Sequence, residues 1–128
     1  MNLDELLERV TQWEDIHTEF KEWPINPVSC AESLVAFANT NGGQLVIGVS
    51  NSRQLLGVGD PDRVMQWVDN IAYNNCVPSI TIVQETVRDE AGHVVVVVNV
   101  PKGDQRPYRT NQGDYYVRTT SGKRLASS

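Results

Sequence analysis

Val35-Ala36-Phe37-Ala38-Asn39-Thr40-Asn41-Gly42-Gly43-Gln44-Leu45-Val46-Ile47-Gly48-Val49 runs from a helix end through a glycine stop into an apolar, β-rich segment. Upstream, Asn26-Pro27 supplies an Asx cap with proline at the first helical position. Val28, Ala31, Leu34, Val35 and Ala38 then form an apolar stripe at helical spacing. Asn39 to Gly43 ends that helix, because asparagine and glycine tolerate the left-handed conformation at a helix C-terminus. The order helix, Gly-Gly, strand is the reverse of a phosphate-cradling loop, which leads from a strand into a helix and ends in lysine with serine or threonine. Gly42-Gly43 and Gly57-Val58-Gly59 therefore read as backbone punctuation. Gln44 to Val49 is a strand, and the turn Ser50-Asn51-Ser52 leads to a second short strand at Leu55 to Val58.

The flanks extend this pattern. Leu3, Leu6, Leu7 and Val10 predict an N-terminal helix over 1–12, with Asp4 and Glu5 in the first turn where the helix dipole favours acids. Ile16, Thr18 and Phe20 alternate with Asp15, His17, Glu19 and Lys21, the pattern of a half-buried strand with Asp15, His17 and Glu19 on a solvated face. Asp60-Pro61 opens a further helix whose inner face is Val64, Trp67, Val68, Ile71 and Ala72. Ile80 to Arg88 and His93 to Val100 form a hairpin, and Val94 to Val98, apolar at every position, reads as a central strand covered on both faces. Residues 101–113 are a loop, Tyr115 to Arg118 a last strand, and 121–128 a tail leading toward a further domain of a longer protein. Within 1–128, the core is 13–120, and the fold class is α+β, a mixed sheet with two to three packed helices.

At 128 residues, 40% hydrophobic and 21% charged, the chain has the composition of one globular domain, which excludes a disordered tail or a coiled coil. The apolar run ending at Val100 is far too short to span a membrane, and the N-terminus lacks the features of a secretory signal. A cytoplasmic protein is expected. Cys30 and Cys76 have neither metal-ligand spacing nor disulfide density, so they read as packing residues. His17 and His93 belong to no recognisable hydrolase motif, and His93 is assigned to the surface. His17, Asp15 and Glu19 are too spread along a strand to meet one ion, so no metal and no cofactor is expected.

Charge is segregated along the chain. Residues 1–32 hold eight acids and two bases, 33–101 six acids and three bases, and 102–128 six bases and two acids, for a total of −5. Two readings follow: an anionic partner for the basic segment, or pairing of that segment with the acidic N-terminal third.

Glu14-Asp15-Ile16-His17-Thr18-Glu19-Phe20-Lys21, the Val35 to Val49 stretch with Asn39, Gly42, Gly43 and Gly48, then Gly57-Val58, Val100-Pro101, Pro107-Tyr108 and Tyr116-Val117-Arg118 together resemble the Schlafen-type AlbA domain family. The resemblance runs from about Glu14 to Ala126. It implies a DNA-binding α+β module, usually N-terminal in transcription-regulator-like proteins whose C-terminal parts are labelled divergent ATPases. In animal Schlafen proteins two such units form a groove that binds RNA, and some cleave it with three carboxylates. Two of these match Glu14 and Glu19, whereas the third falls where this chain has Ser50-Asn51, which supply no anionic oxygen for a divalent ion. The expected function is therefore non-catalytic nucleic-acid binding, DNA first, and assembly as a homodimer or higher oligomer. Arg106, Arg109, Arg118, Lys123 and Arg124 are the expected phosphate contacts. Tyr108, Tyr115 or Tyr116 stack on bases or pack at a sheet edge. The alternatives are a metal-dependent nuclease using Glu14 and Glu19, and a domain that only mediates oligomerisation.

Overall fold

The computed structural model describes residues 1–12 and 16–126. Its elements are α1 (Leu3–Thr11), β1 (Thr18–Lys21), α2 (Pro27–Asn39), β2 (Gly43–Ile47), α3 (Pro61–Asn74), β3 (Cys76–Val77), β4 (Val83–Arg88), β5 (Val94–Val100), β6 (Arg109–Thr110), β7 (Tyr116–Thr119) and β8 (Gly122–Leu125). The caps read from the sequence at Asn26 and Asp60 are in place, and Asn2 caps α1 as well; each accepts hydrogen bonds from first-turn amides. No described helix is long and apolar enough to cross a membrane.

Four strands form a mixed sheet in the order β1-β2-β5-β4, with β1 parallel to β2 and the other pairs antiparallel. The valine run of β5 is central and fills both faces. Val95 and Val97 join Leu6, Val10, Phe20, Val46 and Val87 under α1, while Val96 and Val98 join Leu34, Phe37, Leu45, Ile47, Val64 and Val68 under α2 and α3. The expected α+β class with a mixed sheet and packed helices is found.

Several elements depart from the sequence reading. α2 is not amphipathic: Ser33 through Ala38 are all buried, because the ribbons β3-β6 and β7-β8 cover the side away from the sheet. The segment at Leu55–Val58 makes only a bridge between Val49 and Leu55. Both Leu56 N–H and Gly57 N–H donate to Gly48 O, and a Cβ on Gly48 would lie 3.1 Å from the Gly57 backbone, so no regular ladder forms. The loop at 101–113 contains β6, and residues 122–125, expected as tail, are β8. Trp67, expected on the inner face of this helix, is half-buried at its margin and meets Trp23 edge to face at 5.1 Å.

Candidate functional site

The Gly-Gly stop works by close approach. Gly42 has φ +74°, and a Cβ there would lie 2.6 Å from Val100 O; a Cβ on Gly43 would lie 2.4 Å from His17 O and 2.5 Å from the Phe37 ring. Ahead of this turn, the C-terminus of α2 is the junction of the domain. Thr40 Oγ1 donates to Ala36 O, Gly42 N–H to Phe37 O and Gly103 N–H to Ala38 O, so three carbonyls of the last turn find donors. Asn39 Nδ2 donates to Tyr108 O at 2.8 Å and to Tyr116 O at 2.9 Å, and its Oδ1 accepts from Tyr108 N–H at 2.6 Å. One side chain thus clamps the 101–108 loop and β7 onto the helix. Arg118 N–H donates to Thr40 Oγ1, which fixes β7 one step further along.

β1 carries Glu19 on the α2 side of the sheet, opposite Leu45 in the β1-β2 register. The solvated face expected for this residue is absent, since Glu19 is 5% exposed. Its Oε1 accepts from Arg118 Nη1 at 2.7 Å and its Oε2 from Ser33 Oγ at 2.5 Å. The Arg118 side chain is completely buried, donates to Ile16 O and Thr18 O as well, and places its guanidinium 4.6 Å from the centre of the Phe37 ring. Lys123 Nζ extends the network with donations to Ser29 O, Ser29 Oγ and Ser33 Oγ, and lies 3.3 Å from Glu32 Oε1. Tyr116 Oη donates to Glu32 Oε2 at 2.8 Å. Burying one carboxylate alone is costly; here each acid of the network has a cation and a hydroxyl.

Arg118 and Lys123 are therefore corrected from phosphate ligands to internal partners of Glu19 and Glu32, as in the second reading of the charge segregation. Tyr108 is likewise not an open stacking ring. It is 5% exposed, its hydroxyl accepts from Gln105 N–H, and its ring lies so close to Gly103 that a Cβ there would clash. Arg106 and Arg124 are exposed, and Arg109 is half-buried with Nη1 donating to Thr110 O. Because the Arg118–Lys123 pair faces α2, the neighbouring pair Val117–Arg124 points to the outer face of the β7-β8 ribbon. Tyr115 is the exposed tyrosine of this segment, at 39%. Phe20 packs under α1, and Lys21 ends β1 half-buried. Glu14 lies outside the described residues. Ser50 is nearly buried and caps its own turn, accepting from Gln54 N–H; Asn51 is exposed.

Sequence reasoning did not find Ser29, Ser33, Glu32 or Thr40. Ser33 could have been noticed as a hydroxyl beside the apolar stripe, in a helix whose other interior residues are hydrophobic.

The hydrogen bond to Glu32, with burial and the charges of Glu32 and Asp114, pushes the Tyr116 phenol up to about 12. The native state then keeps a proton that the unfolded chain loses above pH 10.0. Stability from this bond is present below that pH and is lost as pH rises toward 12. The stability advantage of wild type over Tyr116→Phe is expected to shrink across that window in urea titrations; an advantage constant with pH would contradict the bond. Burial pushes the Cys30 and Cys76 thiols up to about 12, which suits packing rather than reactivity.

The chain resembles the solution structure of the N-terminal domain of a RecG-related protein from Nitrosomonas europaea, with a TM-score of 0.75 and 24% identity over 98% of this chain and 88% of that one. It also resembles the crystal structure of the DIP2311 protein from Corynebacterium diphtheriae, with a TM-score of 0.62 and 19% identity; 97% of this chain is covered but only 26% of that one. Both likenesses concern the fold. No curated protein matches. The Schlafen, AlbA_2 family matches residues 14–127, a span that includes Glu19, Asn39, Gly42, Gly43 and Arg118, and the chain belongs to that family.

Proposed function

We propose that this domain is a non-catalytic nucleic-acid-binding and assembly module, DNA being its first partner, in a transcription-regulator-like protein. The observation that carries the reading is the division of the basic C-terminal segment. Arg118 and Lys123 are neutralised inside, whereas Lys102, Arg106 and Arg124 are exposed and Arg109 is half-buried. Exposed guanidinium groups suit phosphate oxygens, and Tyr115 offers a face for a base. Two copies in a homodimer double this modest basic surface. The name of the Nitrosomonas europaea neighbour, which associates it with ATP-dependent DNA helicases, is in keeping with a partner of this class.

The reading favours binding over cleavage because both Glu19 oxygens are already occupied, by Arg118 and Ser33, and a metal ion would have to displace them. Labelled DNA or RNA is expected to stay intact with Mg²⁺ or Mn²⁺. Cleavage abolished by Glu19→Gln would promote the nuclease alternative. The binding test is fluorescence anisotropy of labelled oligonucleotides over a salt series. Log affinity should fall with log salt, and changing Arg106, Arg109 and Arg124 together to alanine should reduce that slope by about 2–3, at about 0.9 per lost duplex phosphate contact. Affinity and slope unchanged in the triple variant would sink the proposal.

A further inference from the structure

The two edges of the sheet are finished differently. At β1, Arg118 donates to Ile16 O and Thr18 O, so edge carbonyls are taken by a side chain of the same domain. Among the described residues β4 has no such cover. Its hairpin closes with Asp89 N–H donating to His93 O, which sets the alternation of the β4-β5 pairing. Val83, Glu85 and Val87 exchange hydrogen bonds with β5, and the backbone N–H and C=O groups of Gln84, Thr86 and Arg88 point away from the sheet. Among the described residues these outward groups have no backbone partner. The strand contains no proline, lysine or bulge, and Val83 is 64% exposed.

We infer that β4 pairs antiparallel with β4 of a second copy across a twofold axis at Thr86, giving a continuous sheet through the dimer. This names the surface for the assembly part of the proposed function and rests on that reading. The register follows from the alternation, since only outward residues can exchange bonds with the partner. Centring the axis on Glu85 puts two carboxylates opposite each other, which is unfavourable; centring it on Thr86 pairs threonine with threonine and sets Gln84 opposite the second copy's arginine at 88.

Side-chain contacts hold β4 from the α3 face. Gln84 Oε1 is the one buried side-chain acceptor without a partner among the described residues, while its Nε2 is held by Met65 O and Asp69 Oδ1. Gln84 and Arg88 share the face of β4 that looks toward α3, so a twofold about Thr86 sets each arginine on the same face as the amide side chain opposite it. The strand is also held from the other face, where Glu85 receives the N-terminal ammonium and Asn99 Nδ2. An edge fixed from both faces loses little freedom on pairing.

Sedimentation velocity of wild type, Thr86→Pro and Thr86→Lys over micromolar to millimolar concentration tests the proposal. The Thr86 N–H faces outward, so proline there leaves the β4-β5 ladder intact, and thermal midpoints near wild type should confirm folding. Lysine retains the amide but places like charges at the axis. Wild type should dimerise, with the dissociation constant raised about tenfold or more in either variant. A dimer unaffected by both variants would overturn the edge pairing and leave assembly standing, whereas a wild type monomeric throughout would overturn both. Binding of oligonucleotide by the monomeric variants reports separately on the nucleic-acid reading.

Discussion

Replacing Arg118 by alanine is expected to destabilise the domain by about 3–5 kcal/mol, the cost of leaving a buried charge without its partner. Glu19 would keep its bond to Ser33 but lose the cation paired with it, and Ile16 O and Thr18 O would lose donors. The Phe37 ring would lose the guanidinium lying over it. For a domain with a total stability of about 5–15 kcal/mol, this is a large fraction of the whole, visible as a urea midpoint lowered by roughly 1–3 M. The double variant Glu19→Gln with Arg118→Met is expected to be more stable than Arg118→Ala alone, because it removes both charges. An Arg118→Ala midpoint equal to wild type would show that the pair does not hold β7 and β1 together.

The second large effect is at Asn39. Its amide makes three hydrogen bonds, to Tyr108 N–H, Tyr108 O and Tyr116 O, across a sequence separation of 69 to 77 residues. Asn39→Ala leaves those three backbone groups partly buried without partners, at about 1–3 kcal/mol each before water re-enters; a net loss of about 3 kcal/mol is expected. The consequence should be local as well as global. Native-state hydrogen exchange at the Tyr108 amide should accelerate more than exchange in β5, because the 101–108 loop loses its anchor while the sheet does not. Uniform acceleration across the domain would mean that Asn39 acts only through overall stability.

Local signals made the sheet and its helices legible. Asn26-Pro27 and Asp60-Pro61 are caps within a few residues of the helices they start, Gly42-Gly43 is a stop read from residue type alone, although the close approaches that require it come from Val100 and His17, and the valines of β5 announce burial on both faces. What the sequence concealed depends on partners distant in the chain. Period-two alternation assigned Glu19 to solvent because it cannot register that Arg118, 99 residues later, lies across that face. The full burial of α2 was hidden for the same reason: the ribbons covering it include two-residue strands, too short to carry any periodicity. The basic segment shows the limit most clearly. Arg118, Lys123 and Arg124 look alike in sequence, yet ribbon alternation turns the first two inward and the third outward.

The division between bases that hold the fold and bases that meet a ligand is tested most directly by two-dimensional ¹H–¹⁵N spectra recorded while a short DNA oligonucleotide is added at low salt. Amide shifts are expected to move around Arg106, Arg109, Tyr115 and Arg124, with the Arg118 Nε–H resonance unchanged and slow to exchange with solvent. Perturbation centred on Arg118, Lys123 and the Glu19 strand, with Arg106 and Arg124 unmoved, would contradict it.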